Sequence, residues 1–185
     1  MIDEIQQDAE SRMKKTVDST KDDMARIRTG RASTALLDHL TVDYYGSTTP
    51  ISQVASISVA DARTLTVQPW EKAMLSVVER AILESDLGLN PVTAGETMRI
   101  PLPPMTEQRR IELVKVVKNE GENGKIAIRN IRRDAIHTVR ELLKEKEITQ
   151  DEEKDAESAM QTLTDKYTAL INDVVSEKEK EVMEV

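Results

Sequence analysis

Three stretches of this chain repeat apolar residues every three or four positions, and they lie at its two ends, whereas the middle alternates. Ile2, Ile5, Ala9, Met13, Val17, Thr20, Met24 and Ile27 line one face of a helix over residues 1–29. Gly30 follows as a helix stop, because glycine takes the left-handed conformation cheaply. Near the other end, Thr106 is a suitable N-cap for a second helix reaching about Lys144, roughly 60 Å long at ~1.5 Å per residue. Thr149-Gln150-Asp151-Glu152 is a capping box that opens a third helix. There, Ala156, Met160, Leu163, Tyr167, Leu170 and Val174 form a heptad seam, which predicts knobs-into-holes packing. Three long helices with one apolar stripe each must bury those stripes against one another. The expectation is a long antiparallel three-helix bundle made of residues 1–30 and 105–185.

Residues 31–104 change period. Leu65 and Val67 alternate with Thr64, Thr66 and Gln68, and Leu40, Val42 and Tyr44 alternate likewise, which are strand patterns. Gly46-Ser47-Thr48-Thr49-Pro50 reads as a loop and residues 54–59 as a further strand. Helical spacing returns over 74–86 and stops at Gly88 and Asn90-Pro91, after which Met98 and Ile100 mark a last strand. Pro101-Leu102-Pro103-Pro104 cannot continue a strand or a helix. The fold class is therefore α+β: a small α+β domain inserted between the first and second helices of the bundle. Its two connections, near Gly30-Arg31 and Pro103-Pro104, must meet the same end of the bundle. Gly30, Arg31, Pro103 and Pro104 are the candidate hinge, a two-stranded joint about which the bodies can swing.

Composition removes several chemistries. Zero Cys excludes disulfides, thiolate metal sites and cysteine nucleophiles. No Phe, one Trp and three Tyr leave the core to aliphatic residues. No apolar run approaches the ~20 residues of a membrane span, and the acidic start MIDEIQQDAE is unlike a leader peptide, so a cytoplasmic protein with no membrane partner is expected. His39 and His137 are in different expected domains. Gly124-Lys125 lacks the rest of a phosphate loop, with Asn119 and Ile126 at the required positions. No nucleophile elbow, zinc motif or dinucleotide fingerprint occurs, and the run Asp151, Glu152, Glu153 and Asp155 suits a helix N-terminus. No enzyme activity, metal or cofactor is expected.

Formal net charge is −8, but it is unevenly spread: residues 105–145 carry 10 basic and 7 acidic groups, whereas 146–185 carry 5 and 12. On a wheel of the second helix, Lys118, Lys125, Arg129, Arg132, Arg133 and Arg140 fall within an arc of about 100°. Ile128, Ile131, Ala135, Val139 and Leu142 occupy the adjoining arc. The stripe should stay exposed, with Glu122 the one acid among its cations and few i,i+4 pairs to neutralise it. Arginine forks grip phosphate and stack on bases, and Arg26, Arg28, Arg31, Arg109 and Arg110 sit near the joint. The residues point to RNA or another polyanion. A coiled-coil adaptor, a general RNA chaperone and a hydrolase using the acidic helix are the competing classes. Gly121 and Gly124 interrupt the second helix, permitting either a bend or a close approach.

Four segments also resemble a known family. Arg-Thr-Gly-Arg-Ala-Ser (28–33), Asp-Leu-Gly-Leu-Asn-Pro (86–91), Ile-Pro-Leu-Pro-Pro-Met-Thr-Glu-Gln-Arg-Arg (100–110) and Arg-Asn-Ile-Arg-Arg-Asp-Ala (129–135) are similar to bacterial ribosome recycling factors, in register from end to end. The resemblance implies an L-shaped molecule whose long arm is the bundle. It implies a cytoplasmic monomer that works with elongation factor G and GTP on the 70S ribosome, splitting it into subunits after termination. It places the bundle on large-subunit ribosomal RNA, with Arg132 matching the family's RNA-contacting arginine and Arg129, Arg28 and Arg31 in the same contact region. The chain departs from the family pattern at Gly124 and Val185.

Overall fold

A computed structural model of the chain describes residues 1–184; Val185, expected as the end of the bundle, lies outside the described residues. The chain divides into two compact units, one of residues 1–28 with 108–184 and the other of residues 29–107.

The first unit holds three long helices, α1 (Ile2–Ala25), α3 (Glu107–Lys144) and α4 (Gln150–Glu184), and the inserted unit one short helix, α2 (Leu75–Leu83). Ala9, Met13 and Val17 of α1, Ile128, Ile131 and Ala135 of α3, and Met160, Tyr167 and Ile171 of α4 make one buried cluster. Arg12 pairs with Asp134, whereas further along α1 Thr20 meets Gly124, so α1 and α3 run antiparallel. α3 and α4 do the same, with Arg140 on Glu157 at one end and Lys118 on Glu179 at the other. Gly121 and Gly124 are buried and give close approach. A Cβ on Gly121 would overlap Val175 Cγ2, and one on Gly124 would lie 2.6 Å from Thr20 Oγ1 and 3.0 Å from Ile171 Cδ1.

The fold departs from expectation at the end of α1, at Gly30 and along α4. α1 ends at Ala25 rather than 29, with Arg26 as its C-cap. Gly30 is thus no helix stop; its φ of +75° serves the connection, where a Cβ would come within 2.9 Å of Met105 Cγ. On α4 the buried residues are Ala156, Met160, Thr164, Tyr167, Ile171 and Val182, and Leu170 is 40% exposed. The expected heptad seam through Leu163 and Leu170 therefore drifts, because a helix of ~3.6 residues per turn keeps a 3.5 repeat only by supercoiling. Thr164 stays buried by donating its hydroxyl to the Met160 carbonyl at 2.8 Å.

The turn between α3 and α4 closes both helix ends. Lys146 adopts φ +61°, the Glu147 N–H donates to the Leu142 carbonyl at 2.9 Å and the Lys146 N–H to that of Leu143 at 3.0 Å, which is a Schellman ending. The expected capping box forms: the Thr149 N–H donates to Glu152 Oε2 at 2.7 Å and the Glu152 N–H to Thr149 Oγ1 at 3.3 Å.

The inserted unit carries a hairpin, β1 (Thr41–Tyr44) with β2 (Ser47–Pro50), and an antiparallel sheet in the order β3 (Ala55–Asp61), β4 (Thr64–Pro69), β6 (Thr97–Pro101), β5 (Val92–Ala94). One short helix, α2 (Leu75–Leu83), lays Val78 and Ile82 into a core with Leu65, Val67, Met98 and Ile100. The segment expected as a loop, Gly46 to Pro50, is mostly the strand β2. Tyr45 and Gly46 both have positive φ, as a two-residue type I′ turn demands, and Asp43 Oδ1 accepts the Gly46 N–H at 2.8 Å. Pro101, expected to break a strand, is the last paired residue of β6, opposite Thr64. The entering and leaving segments are both pinned to the β3–β4 turn: the Ala32 N–H donates to Ala62 O at 2.8 Å and the Leu102 N–H to Arg63 O at 2.7 Å.

Candidate nucleic-acid interface

All six stripe residues lie on α3, beside the α4 surface. The backbone alone dictates this much, since positions 118, 125, 129, 132, 133 and 140 share one side of a regular helix. What surrounds them differs from expectation. Arg140 donates to Glu157 Oε1 from Nη2 at 2.8 Å and lies 3.8 Å from Glu153. Lys118 reaches Glu179 at 4.0 Å, and Arg129 Nη2 bonds Glu122 Oε1 at 2.6 Å. That bond, with the charge of Arg129, holds the Glu122 carboxyl below its ordinary value. Half of the stripe is therefore paired with carboxylates, which corrects the expectation that most of it is not neutralised.

The pairs nevertheless sit in water, and their arginine and lysine side chains remain largely exposed. An exposed ion pair is worth about 0–1 kcal/mol, so these carboxylates hold their cations only weakly.

Arg132 is held differently. Its Nη1 donates to the amide oxygen of Gln161 at 2.8 Å. Gln161 belongs to an i, i+4 row on α4 with Glu153, Glu157 and Asp165, and it alone in that row is neutral. The amide orients the guanidinium without cancelling its charge, and most of the five N–H donors of an arginine stay available. Gln161 is itself aimed by its Nε2 donating to Asp165 Oδ1 at 2.8 Å. Lys125 and Arg133 make no hydrogen bond or ion pair among the described residues.

Other candidates stand apart. Arg28, past the end of α1, and Arg31, in the inserted unit, are exposed and make no polar contact among the described residues. Gly30, Arg31, Pro103 and Pro104 all belong to the inserted unit. Glu157, Gln161 and Glu179 are not singled out by the sequence and Glu153 reads there only as part of a helix N-terminus, although the four-residue spacing of Glu153, Glu157 and Gln161 is a readable sign that α4 presents a polar row. Among the described residues there is no cluster of acidic or histidine side chains able to hold a metal, and no helix is long and apolar enough to cross a membrane.

The likeness to known proteins agrees with this architecture. The family model described as ribosome recycling factor matches residues 20–183. The ribosome-recycling factor of Legionella pneumophila (strain Paris) is 58% identical over 185 residues, covering all of both chains. That of Cupriavidus taiwanensis is 56% identical over 184 residues, covering all of this chain and 99% of its own. A solution structure of the ribosome recycling factor superposes with a TM-score of 0.67 at 42% identity, covering all of this chain and 98% of that one. A second, with a TM-score of 0.60, 42% identity and 98% coverage of each chain, comprises models for the T. thermophilus ribosome recycling factor and the E. coli elongation factor G bound to the E. coli post-termination complex. A bundle with an inserted α+β unit, alike in sequence from end to end, leaves one assignment: this chain belongs to the ribosome recycling factor family, and it is a translation factor rather than an enzyme.

Proposed function

We propose that this chain, with elongation factor G and GTP, disassembles post-termination 70S ribosomes into subunits by docking its bundle on large-subunit ribosomal RNA. The observation that carries the reading is the charge state of the α3 stripe around Arg132, which is oriented by a neutral amide beside the unpaired Lys125 and Arg133. Arg129, Arg140 and Lys118 add to it by exchanging exposed carboxylate partners for phosphates, and Arg28 and Arg31 supply further cations. Contacts of this kind recognise RNA by shape and charge rather than sequence. Glu153 and Glu157, released from Arg140, and Asp165 stay on the α4 side of the stripe, so RNA is held from the side away from α4, which narrows the docking to one face.

The same reading makes Gly30, Arg31, Pro103 and Pro104 the hinge, and residues 1–30 with 105–185 the RNA-binding arm. Support comes from the pinning of both connections to one β-turn, which leaves few backbone links to resist a swing. Energy enters through the partner's GTP hydrolysis, so the chain needs no nucleotide site and no cofactor. It acts in the cytoplasm as a monomer. The test is subunit splitting of purified post-termination ribosomes with elongation factor G and GTP. Splitting that depends on this chain supports the reading, and equal splitting without it refutes the reading.

A further inference from the structure

The six cations of the α3 stripe are not equivalent. Lys125, Arg132 and Arg133 make no ion pair among the described residues, and they share about 12 Å of helix at ~1.5 Å per residue. Lys118 and Arg140, the two ends of the stripe, are about 33 Å apart by the same rise. Each end is held from α4, Lys118 by Glu179 at 4.0 Å and Arg140 by Glu157 at 2.8 Å and Glu153 at 3.8 Å. Within the stripe, Arg129 is held by Glu122 of its own helix at 2.6 Å.

At both ends the carboxylate sits deeper than its cation. Arg140 is 62% exposed against 34% for Glu157 and 21% for Glu153, and Lys118 is 65% exposed against 31% for Glu179. A polyanion therefore meets these cations from outside, and the carboxylates stay within reach behind them. Exposed pairs add little to the stability of a fold. Their larger effect is on what the cations bind, because a phosphate must displace the carboxylate on arrival and faces its charge afterwards.

We infer that Glu122, Glu157 and Glu179 are release residues, each retaking its cation as a phosphate leaves, while Lys125, Arg132 and Arg133 fix where the bundle docks. The inference rests on the docking of the stripe on ribosomal RNA proposed for this chain. Retaking the cation means that separation never leaves a guanidinium or ammonium bare beside a departing phosphate, which lowers the cost of leaving. The exchange is short-ranged and acts on the complex as it parts, so it appears in the dissociation rate, where most affinity differences among variants of one interface lie. Net charge acts at long range instead, on the rate of encounter.

Glu157→Gln and Glu122→Gln keep the shape and remove the charge. Dissociation of the labelled full chain from purified large ribosomal subunits, chased with unlabelled protein, should slow about two- to fivefold in each, the range set by an exposed ion pair, and further in the double variant. Glu10→Gln changes net charge equally without touching the stripe. Its partner Lys166, at 3.1 Å, lies nine residues beyond Glu157 and so on the opposite side of α4. That variant should dissociate at the parental rate. The inference is overturned if Glu157→Gln and Glu122→Gln also dissociate at the parental rate, or if Glu10→Gln slows dissociation as much as they do. Arg132→Ala in the same assay separates release from docking. If Arg132→Ala binds more weakly while the glutamine variants behave as the parent, the release role alone fails. Unchanged binding by Arg132→Ala overturns the docking and the release role together.

Discussion

The guanidinium of Arg132 and the side-chain amide of Gln161 are joined by a single hydrogen bond of 2.8 Å across the α3–α4 groove. Gln161→Glu keeps the shape and makes the acceptor a carboxylate. It should weaken large-subunit binding about two- to fivefold, the range set by an exposed ion pair. Gln161→Ala should not weaken it to that extent. A filter-binding or sedimentation assay with both variants separates orientation from neutralisation, and equal affinity for Gln161→Glu and the parent would contradict the role given to the neutral amide.

Gly121 faces Val175 so closely that any side chain there displaces it. In an open helix Gly→Ala stabilises by up to about 1 kcal/mol, but overpacking costs ~1–3 kcal/mol, and Val175 is β-branched and stiff. Gly121→Ala should therefore lower the thermal midpoint of the bundle. In a Val175→Ala background the same change should raise it, a reversal of sign that calorimetry reads directly.

The capping box at Thr149 satisfies donors at the start of α4. Thr149→Ala should destabilise the bundle by about 1 kcal/mol. Glu152 is held below its ordinary carboxylate value first by the Thr149 N–H and then by its hydroxyl. Its share of stability is thus present above the unfolded value and is lost as pH falls through the folded one. Denaturant unfolding followed from neutral to acidic pH should show the parent's advantage over Thr149→Ala shrink on acidification.

Glu71 accepts the hydroxyls of Tyr44 at 2.6 Å and Tyr45 at 2.8 Å. These bonds lower the Glu71 carboxyl, Tyr44 contributing most, and raise both phenols above their ordinary range. Glu71→Gln removes the charge, so both tyrosines should ionise at lower pH than in the parent, visible in tyrosinate absorbance. Tyr167 is raised chiefly by burial and should not move.

Much of the architecture was legible in the chain itself. α3 begins one residue after Thr106 and ends at Lys144, where capping and periodicity had put it, because local signals suffice for a long amphipathic helix. β2 was missed because Ser47-Thr48-Thr49-Pro50 looks like a loop until Tyr45 and Gly46 are seen to share positive φ. The α4 seam was displaced because one helix's pattern does not state how far it coils around its neighbours. At the interface, the cations were evident on a single wheel. Their partners were not, since Glu157, Gln161 and Glu179 meet them through the register between two helices, which no single-helix pattern contains.

If α3 holds phosphate through Arg132 and its neighbours, as proposed, binding must weaken as salt rises. Measured as log affinity for the large ribosomal subunit against log salt, Arg132→Ala should bind more weakly than the parent. Its slope should be shallower by about 0.9, the equivalent of one phosphate no longer neutralised. Unchanged affinity and an unchanged slope would contradict the account.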